Sequence, residues 1–513
     1  MKPNIIVVMT DQQRADLQKS CGYALDTMPF LDRWAGGGAD FRMAYTSNPT
    51  CMPARVSMFT GRYPSCHHVR TNHNAVDAYY TKDLLDIVRE QGYRMALCGK
   101  NHSHRKPEDF DFFAGNGHQG NEEGEDRTPE QVQFSSWLND LQHMESHEPS
   151  PGGLEVQHPY RNVCSALEFI DETRQNDSEQ PFFLWLSFAE PHSPYQVPEP
   201  YFDLFPPESL PELETDKSDL KEKGARYQWL RQCWEEVLEG RMDERIPRVR
   251  SNYHGMLRLI DDQFRRLIEG LEERNLCGET LIVYLSDHGD FVGEYGLIRK
   301  GADLPDVLTH IPMIWRGPGV AAQGSVADAC VNIVDILPTI CDILQIPAPE
   351  GCQGKSILPL LQNKEIPAGE FDTVYCENGF SGLYWDEEDN LTPVEEGAMG
   401  KAPIFFDCLN TWSQSGQVRM VRKGDYKLQL DMMGNGYLYC LAEDPRERRN
   451  LWEEKSYEGI KTELLGLLAR EMMRRSDTLP YPRNRYRVKQ HPKGYWEQNY
   501  HCGEDPGVRQ APR

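Results

Sequence analysis

The stretch from Asn252 to Gly289, NYHGMLRLIDDQFRRLIEGLEERNLCGETLIVYLSDHG, carries two hydrophobic periods in succession. Between Asn252 and Arg274, Met256, Leu259, Ile260, Phe264, Leu267, Ile268 and Leu271 recur at three- and four-residue steps among charges, which predicts a helix with one buried face. Asn275-Leu276-Cys277-Gly278 then leads into Leu281-Ile282-Val283-Tyr284-Leu285, an unbroken apolar run suited to a strand covered on both faces. A long helix feeding a strand of this kind is the repeating unit of a parallel sheet.

The same grammar extends outward in both directions. Ile5 to Met9 reads as a buried strand, Thr81 to Gly92 as a helix with a Thr cap and a Gly stop, Arg94 to Cys98 as the next strand, and Pro181 to Phe188 as another continuous apolar run. The predicted class is therefore α/β, a mostly parallel sheet flanked by helices. Two stretches rich in charge and proline, about 115–156 and 206–248, read as inserted surface regions, with a helix allowed at Tyr227 to Leu238. Beyond about residue 400 the pattern changes to short alternating runs near 417–422, 426–430 and 436–440, followed by an amphipathic segment from Tyr457 to Met473. This predicts a smaller C-terminal α+β subdomain with a short antiparallel sheet and a helix, so the chain divides into 1–405 and 406–513.

Bulk properties narrow the function. At 513 residues, 39% hydrophobic and 10% aromatic, the chain has material for a large core and does not read as disordered. No apolar run approaches the roughly 20 residues of a spanning helix, so no membrane role is expected. The balance of 55 basic against 80 acidic residues, net −25, disfavours nucleic acid as a partner. The first apolar run is too short for a secretory signal, and the 14 cysteines are scattered singly, so free thiols and a cytoplasmic location are expected.

Three groups of residues carry chemistry. Cys51-Met52-Pro53-Ala54-Arg55, followed by Thr60-Gly61-Arg62, places Cys51 at the start of a helix that Pro53 opens and Gly61 ends, where free N–H groups favour an anion. The strand Ile5 to Met9 delivers Thr10-Asp11-Gln12, and Leu281 to Leu285 delivers Ser286-Asp287-His288. Both lie at strand C-terminal ends, where open α/β sheets build their sites. Two carboxylates, an amide oxygen and an imidazole make a ligand set for one divalent ion, with the oxygens favouring Ca²⁺ or Mg²⁺. Finally, Gly99-Lys100-Asn101-His102, Glu190-Pro191-His192 and Lys300 follow strand-like segments and would gather cations around a pocket for an anion.

These residues resemble the formylglycine-dependent sulfatases of the alkaline phosphatase superfamily. The resemblance runs from Asp11 through Lys300 and continues in the C-terminal run from Lys427 to Leu451. It departs at Ala54, where the family most often has Ser, and at Gln12, where many relatives have a second Asp. It implies an alkaline phosphatase-like fold, oxidation of Cys51 to formylglycine by a maturing enzyme, and one Ca²⁺ or Mg²⁺ held by Asp11, Gln12, Asp287, His288 and the residue at Cys51. By the same resemblance Arg55 and Lys100 hold the nucleophile and sulfate oxygens, and His102 takes a proton from the nucleophile's second hydroxyl. His192 protonates the departing alcohol, and Lys300 binds a sulfate oxygen. The expected substrate is a sulfate monoester, a sulfated carbohydrate or an aryl sulfate, with Asn72 and Asn74 as rim contacts. A phosphonate monoester or phosphodiester hydrolase of the same superfamily, and a non-catalytic binder of sulfated glycans, stand as alternatives.

Overall fold

Eight strands form the main sheet in the order β4-β3-β5-β1-β6-β7-β2-β8. They are β1 (Asn4–Asp11), β2 (Ala39–Tyr45), β3 (Arg94–Gly99), β4 (Phe112–Gly115), β5 (Phe182–Pro191), β6 (Thr280–Ser286), β7 (Met313–Arg316) and β8 (Gly324–Asn332). These assignments come from a computed structural model that describes residues 2–117, 127–301, 303–382, 384 and 416–477. All neighbouring pairs are parallel except those of β7, which runs antiparallel to both β6 and β2. The sheet is thus mixed and mostly parallel, as the alternating pattern predicts.

Side-chain alternation splits the core into two halves. Ile6 and Val8 of β1, Leu184 and Leu186 of β5 and Ile282 and Tyr284 of β6 face the helices His158–Asn176 and Met242–Glu273. Ile5 and Val7, Phe183 and Trp185, and Leu281 and Val283 face the opposite layer, built from the helices Cys51–Thr60, Leu84–Glu90 and Ile336–Ile343. Because both faces are covered, these strands carry apolar side chains at nearly every position.

Several sequence expectations need correction. The long helix starts at Met242, ten residues before the expected Asn252, and contains Pro247. Met242, Ile246 and Val249 continue its apolar stripe, so packing outweighs the one backbone hydrogen bond that proline removes. The 206–248 stretch is exposed over much of 206–222 but packs into the core from the helix that the sequence allows at Tyr227 to Leu238. Its helix Ala225–Val237 presents Tyr227, Leu230 and Trp234 to the core at three- and four-residue steps. The described part of 115–156 likewise folds, with Pro129–Asp140 capped by Thr128 and Phe134 and Leu138 packed on Val156.

The helix expected from Thr81 begins at Leu84 and is capped by Asp83, whose carboxylate accepts from the Asp86 amide at 3.1 Å. Thr81 instead donates to the Glu350 carbonyl at 2.6 Å. Asp83 also accepts from Arg105 Nε at 2.7 Å and pairs with His104 at 2.7 Å. Burial works to raise its pKa, but these bonds outweigh burial and bring it down to about 2. A carboxylate depressed in the fold stabilises it above the ordinary value near 3.8, and that contribution is lost as pH falls toward about 2. Asp83→Asn is therefore expected to cost about 2 kcal/mol at neutral pH. Urea midpoints of variant and wild type should converge as pH drops below 4, and a pH-independent gap would contradict the linkage.

The C-terminal sheet has the order β12-β11-β10-β9 and is antiparallel throughout. The three expected strands are β10 (Val418–Lys423), β11 (Tyr426–Asp431) and β12 (Gly436–Cys440), and the helix Glu458–Arg475 lays Leu464, Leu467 and Leu468 against them. The fourth strand, β9 (Thr373–Asn378), comes from before residue 405, while the expected boundary at 405/406 falls outside the described residues. Among the described residues all cysteines are free thiols, and no helix is long and apolar enough to cross a membrane.

Candidate active site

Parallel pairing of β1 with β6 aligns Thr10 with Ser286, so the two strands end side by side and release Asp11-Gln12 and Asp287-His288 at one sheet edge. The Asp287 amide donates to the Thr10 carbonyl at 3.1 Å, which ties the two exits together. Cys51 opens its helix on the same edge, and the Gly61 amide closes that helix from a left-handed φ of 63° by bonding the Ser57 carbonyl. Gly99 lets β3 finish hard against β5: its φ is 109°, and a Cβ there would lie 2.0 Å from the Ser187 carbonyl oxygen. No side chain fits that position, and the next residue, Lys100, is carried directly into the site.

Arg55 joins these strand ends. Its fully buried guanidinium donates to Asp287 Oδ2 at 2.9 Å, Asp11 Oδ2 at 3.0 Å, Ser187 Oγ at 2.9 Å and the Lys100 carbonyl at 3.0 Å. Lys100 Nζ pairs with the same Asp11 oxygen. Around Cys51 Sγ, Lys300 Nζ donates at 3.0 Å, His288 Nε2 lies at 3.2 Å and Asp11 Oδ1 at 3.5 Å. Burial and Asp11 work to raise the Cys51 pKa, yet Lys100, Lys300 and His288 outweigh them and hold the group well below an ordinary thiol. The site therefore favours a negative charge at the tip of residue 51.

His192 follows β5 and places Nε2 3.4 Å from Lys300 Nζ, while its Nδ1–H donates to the Ser193 carbonyl at 2.6 Å. Burial, then Lys300, Lys100 and His143, keep His192 well below the usual imidazole pKa, so it rests neutral. Burial and Lys100 likewise lower His102.

The donor set fits a divalent ion. Ligand atoms of Asp11, Cys51, Asp287 and His288 all lie within 4.8 Å of one another and are buried. His288 Nδ1 lies 2.8 Å from the Gly289 carbonyl, so in the tautomer that donates there Nε2 offers its lone pair to the cluster. The Gln12 side chain is buried with neither amide atom hydrogen-bonded among the described residues, an arrangement costly without a further partner.

The structure thus brings Asp11, Gln12, Cys51, Arg55, Lys100, His102, His192, Asp287, His288 and Lys300 to one sheet edge. Asn72 stands beside them, and its Oδ1 accepts from the Met52 amide at 3.1 Å in the first turn of the helix that Cys51 opens. Asn74 is drawn into its own loop, accepting from the Arg70 and Thr71 amides and donating to the His68 carbonyl and to Asp77, which leaves a direct substrate contact without structural support.

Two neighbours were not read from the sequence. Ser187, a lone polar residue in an apolar strand run, was the available signal for a buried partner of Arg55. His143, whose ring meets His192 edge-on at 6.0 Å, sits in the 115–156 stretch and carries no local signal.

The sulfatase family model matches residues 3–346. An arylsulfatase of Clostridium perfringens is 26% identical over 502 residues, covering 93% of this chain and 96% of that protein. Among solved structures, the phosphonate monoester hydrolase of Silicibacter pomeroyi superposes with a TM-score of 0.73 at 20% identity, over 93% of this chain and 96% of that one. A 2-O GAG sulfatase superposes with a TM-score of 0.66 at 20% identity, over 93% of each chain. The structural likeness shows a common fold, and both ester chemistries occur on it.

Proposed function

The chain belongs to the sulfatase family, and we propose that it hydrolyses a sulfate monoester of a carbohydrate or aryl alcohol, using a formylglycine made from Cys51. The observation that carries this reading is the convergence on one atom: Cys51 Sγ is met by Lys300, His288 and Asp11. In that reading Sγ marks the place of the formylglycine oxygen. A thiol has one nucleophilic atom and no easy exit from a sulfated intermediate, whereas a hydrated aldehyde has two hydroxyls.

One hydroxyl, ionised in the cationic surroundings of residue 51 with its proton released to solvent, attacks sulfur as the S–O bond to the alcohol breaks, and His192 supplies the proton to the departing oxygen. Because His192 rests neutral, it takes up that proton once the negative charge of the ester offsets Lys300 and Lys100. His102 then removes the proton of the second hydroxyl, the C=O bond re-forms, and sulfate leaves. Lys100 and Lys300 neutralise the sulfate oxygens, while Arg55 holds Asp11 and Asp287 in place from behind. Asp11, Gln12, Asp287 and His288 would hold a Ca²⁺ or Mg²⁺ ion, which supplies Lewis-acid activation of the nucleophile and added charge stabilisation. The conversion of thiol to aldehyde is an oxidation carried out by a separate maturing enzyme.

The phosphonate and phosphodiester hydrolases share the fold, and Gln12 suits either class. Lys100 and His102 favour the sulfate monoester in this reading, since Lys100 pairs with Asp11 beside Cys51 and adds a buried cation where the sulfate oxygens would lie. Matured enzyme assayed on matched aryl esters is expected to turn over the sulfate with much the higher kcat/KM. Lys100→Ala should lower that value by about 10² to 10³. Faster turnover of the phosphonate or the diester would overturn the substrate assignment and leave the nucleophile assignment standing.

A further inference from the structure

Gln12 is held in an unusual way. It adopts a left-handed backbone with φ 68°, a region disfavoured for any residue with a Cβ. Its neighbours do not need this help. The Gln13 amide donates to Ser286 Oγ at 2.9 Å, and the Gln13 side-chain oxygen accepts from Tyr284 at 2.7 Å and Thr10 at 2.9 Å.

The Gln12 peptide is clamped from two sides instead. Its amide donates to Asp287 Oδ1 at 3.2 Å, and its carbonyl accepts from the Tyr253 hydroxyl at 2.6 Å. The same hydroxyl accepts from the Arg14 amide at 3.0 Å, so one oxygen bridges the carbonyl and amide on either side of the turn. Tyr253 is fully buried on the long helix Met242–Glu273, and its ring packs against Tyr195.

We propose that Tyr253 is a positioning residue for Gln12: its hydroxyl fixes the left-handed turn that presents the Gln12 amide to the divalent-cation site. The inference rests on reading that cluster as a metal site. It separates Tyr253 from an ordinary core tyrosine, whose hydroxyl would need a partner but whose loss would leave the ion's ligands undisturbed. Outer-shell groups that orient a ligand typically change metal affinity by about 10- to 100-fold.

The test titrates Ca²⁺, and separately Mg²⁺, into metal-stripped full-length protein by calorimetry, with the thermal midpoint of the metal-free protein recorded alongside. Tyr253→Phe keeps the ring and its packing and removes only the hydroxyl. It is expected to weaken cation binding by about tenfold or more, while Tyr284→Phe, which loses an equally buried hydroxyl bonded to Gln13, leaves affinity unchanged. In a Gln12→Gly background, where φ is unstrained and the amide ligand is gone, adding Tyr253→Phe should weaken binding no further. Unchanged affinity in Tyr253→Phe, or an equal loss in the Gln12→Gly background, would overturn the positioning role alone. A wild-type protein that binds neither cation would remove the metal reading and this inference together.

Discussion

Cys51→Ala is expected to lower kcat/KM for an aryl sulfate by a factor on the order of 10⁴ to 10⁶, because it deletes the atom on which the site converges. Lys300, His288 and Asp11 all meet the Cys51 side chain. The fold should tolerate the change, since alanine fits the first turn of a helix and the Asn72 bond to the Met52 amide is untouched. Far-ultraviolet circular dichroism with steady-state kinetics separates the two effects. Retention of more than a tenth of wild-type turnover in a folded Cys51→Ala protein would remove Cys51 from the chemistry.

The largest stability effect is expected far from that site. Glu447 is fully buried between two lysines, accepting from Lys223 Nζ at 2.9 Å and pairing with Lys427 Nζ at 2.7 Å. Lys427 also faces Asp306 at 3.4 Å, and Lys223 lies over the rings of Tyr295 and Tyr439 at 4.8 and 4.6 Å. The cluster joins the 206–248 stretch, the catalytic sheet region and the C-terminal sheet. Burial works to raise the Glu447 pKa, but the two ammonium groups outweigh it and keep the carboxylate ionised. Glu447→Ala leaves both ammonium groups buried with too little negative charge, which costs about 3 to 5 kcal/mol. A fall in the thermal midpoint of several degrees is the expected readout, and a change no larger than that of an exposed control such as Glu443→Ala would contradict this account.

What the sequence made legible follows from how locally each signal is written. Pro53 and Gly61 bracket the nucleophile helix within one short segment, and the structure places Cys51 and Gly61 at its two ends. Asp11 and Asp287 were joined across the chain because each follows an apolar strand, and adjacent parallel strands end together. The start of the long helix was hidden because Pro247 looks like a stop, while the stripe through Met242, Ile246 and Val249 shows only once the proline is tolerated. In 206–248 the helix at Tyr227 to Leu238 was legible, but the charges among Tyr227, Leu230 and Trp234 masked how far that helix is buried. β9 was missed because its Thr-Val-Tyr-Cys-Glu-Asn run is short and depends on β10 for its pairing. Asn72 and Asn74 share a loop and a residue type, and only hydrogen bonding separates the one that meets the Met52 amide from the one that braces its own loop.

The central claim is that a formylglycine at position 51 is the working nucleophile, and one measurement meets it directly. Preparations matured to different extents are assayed for sulfate release, and the same samples are digested so that the peptide containing Cys51 is weighed. Conversion of thiol to aldehyde lowers that peptide by about 18 Da. Turnover is predicted to rise in proportion to the converted fraction and to extrapolate to almost nothing at zero conversion. Full turnover from protein whose Cys51 peptide retains the intact thiol mass would contradict the mechanism.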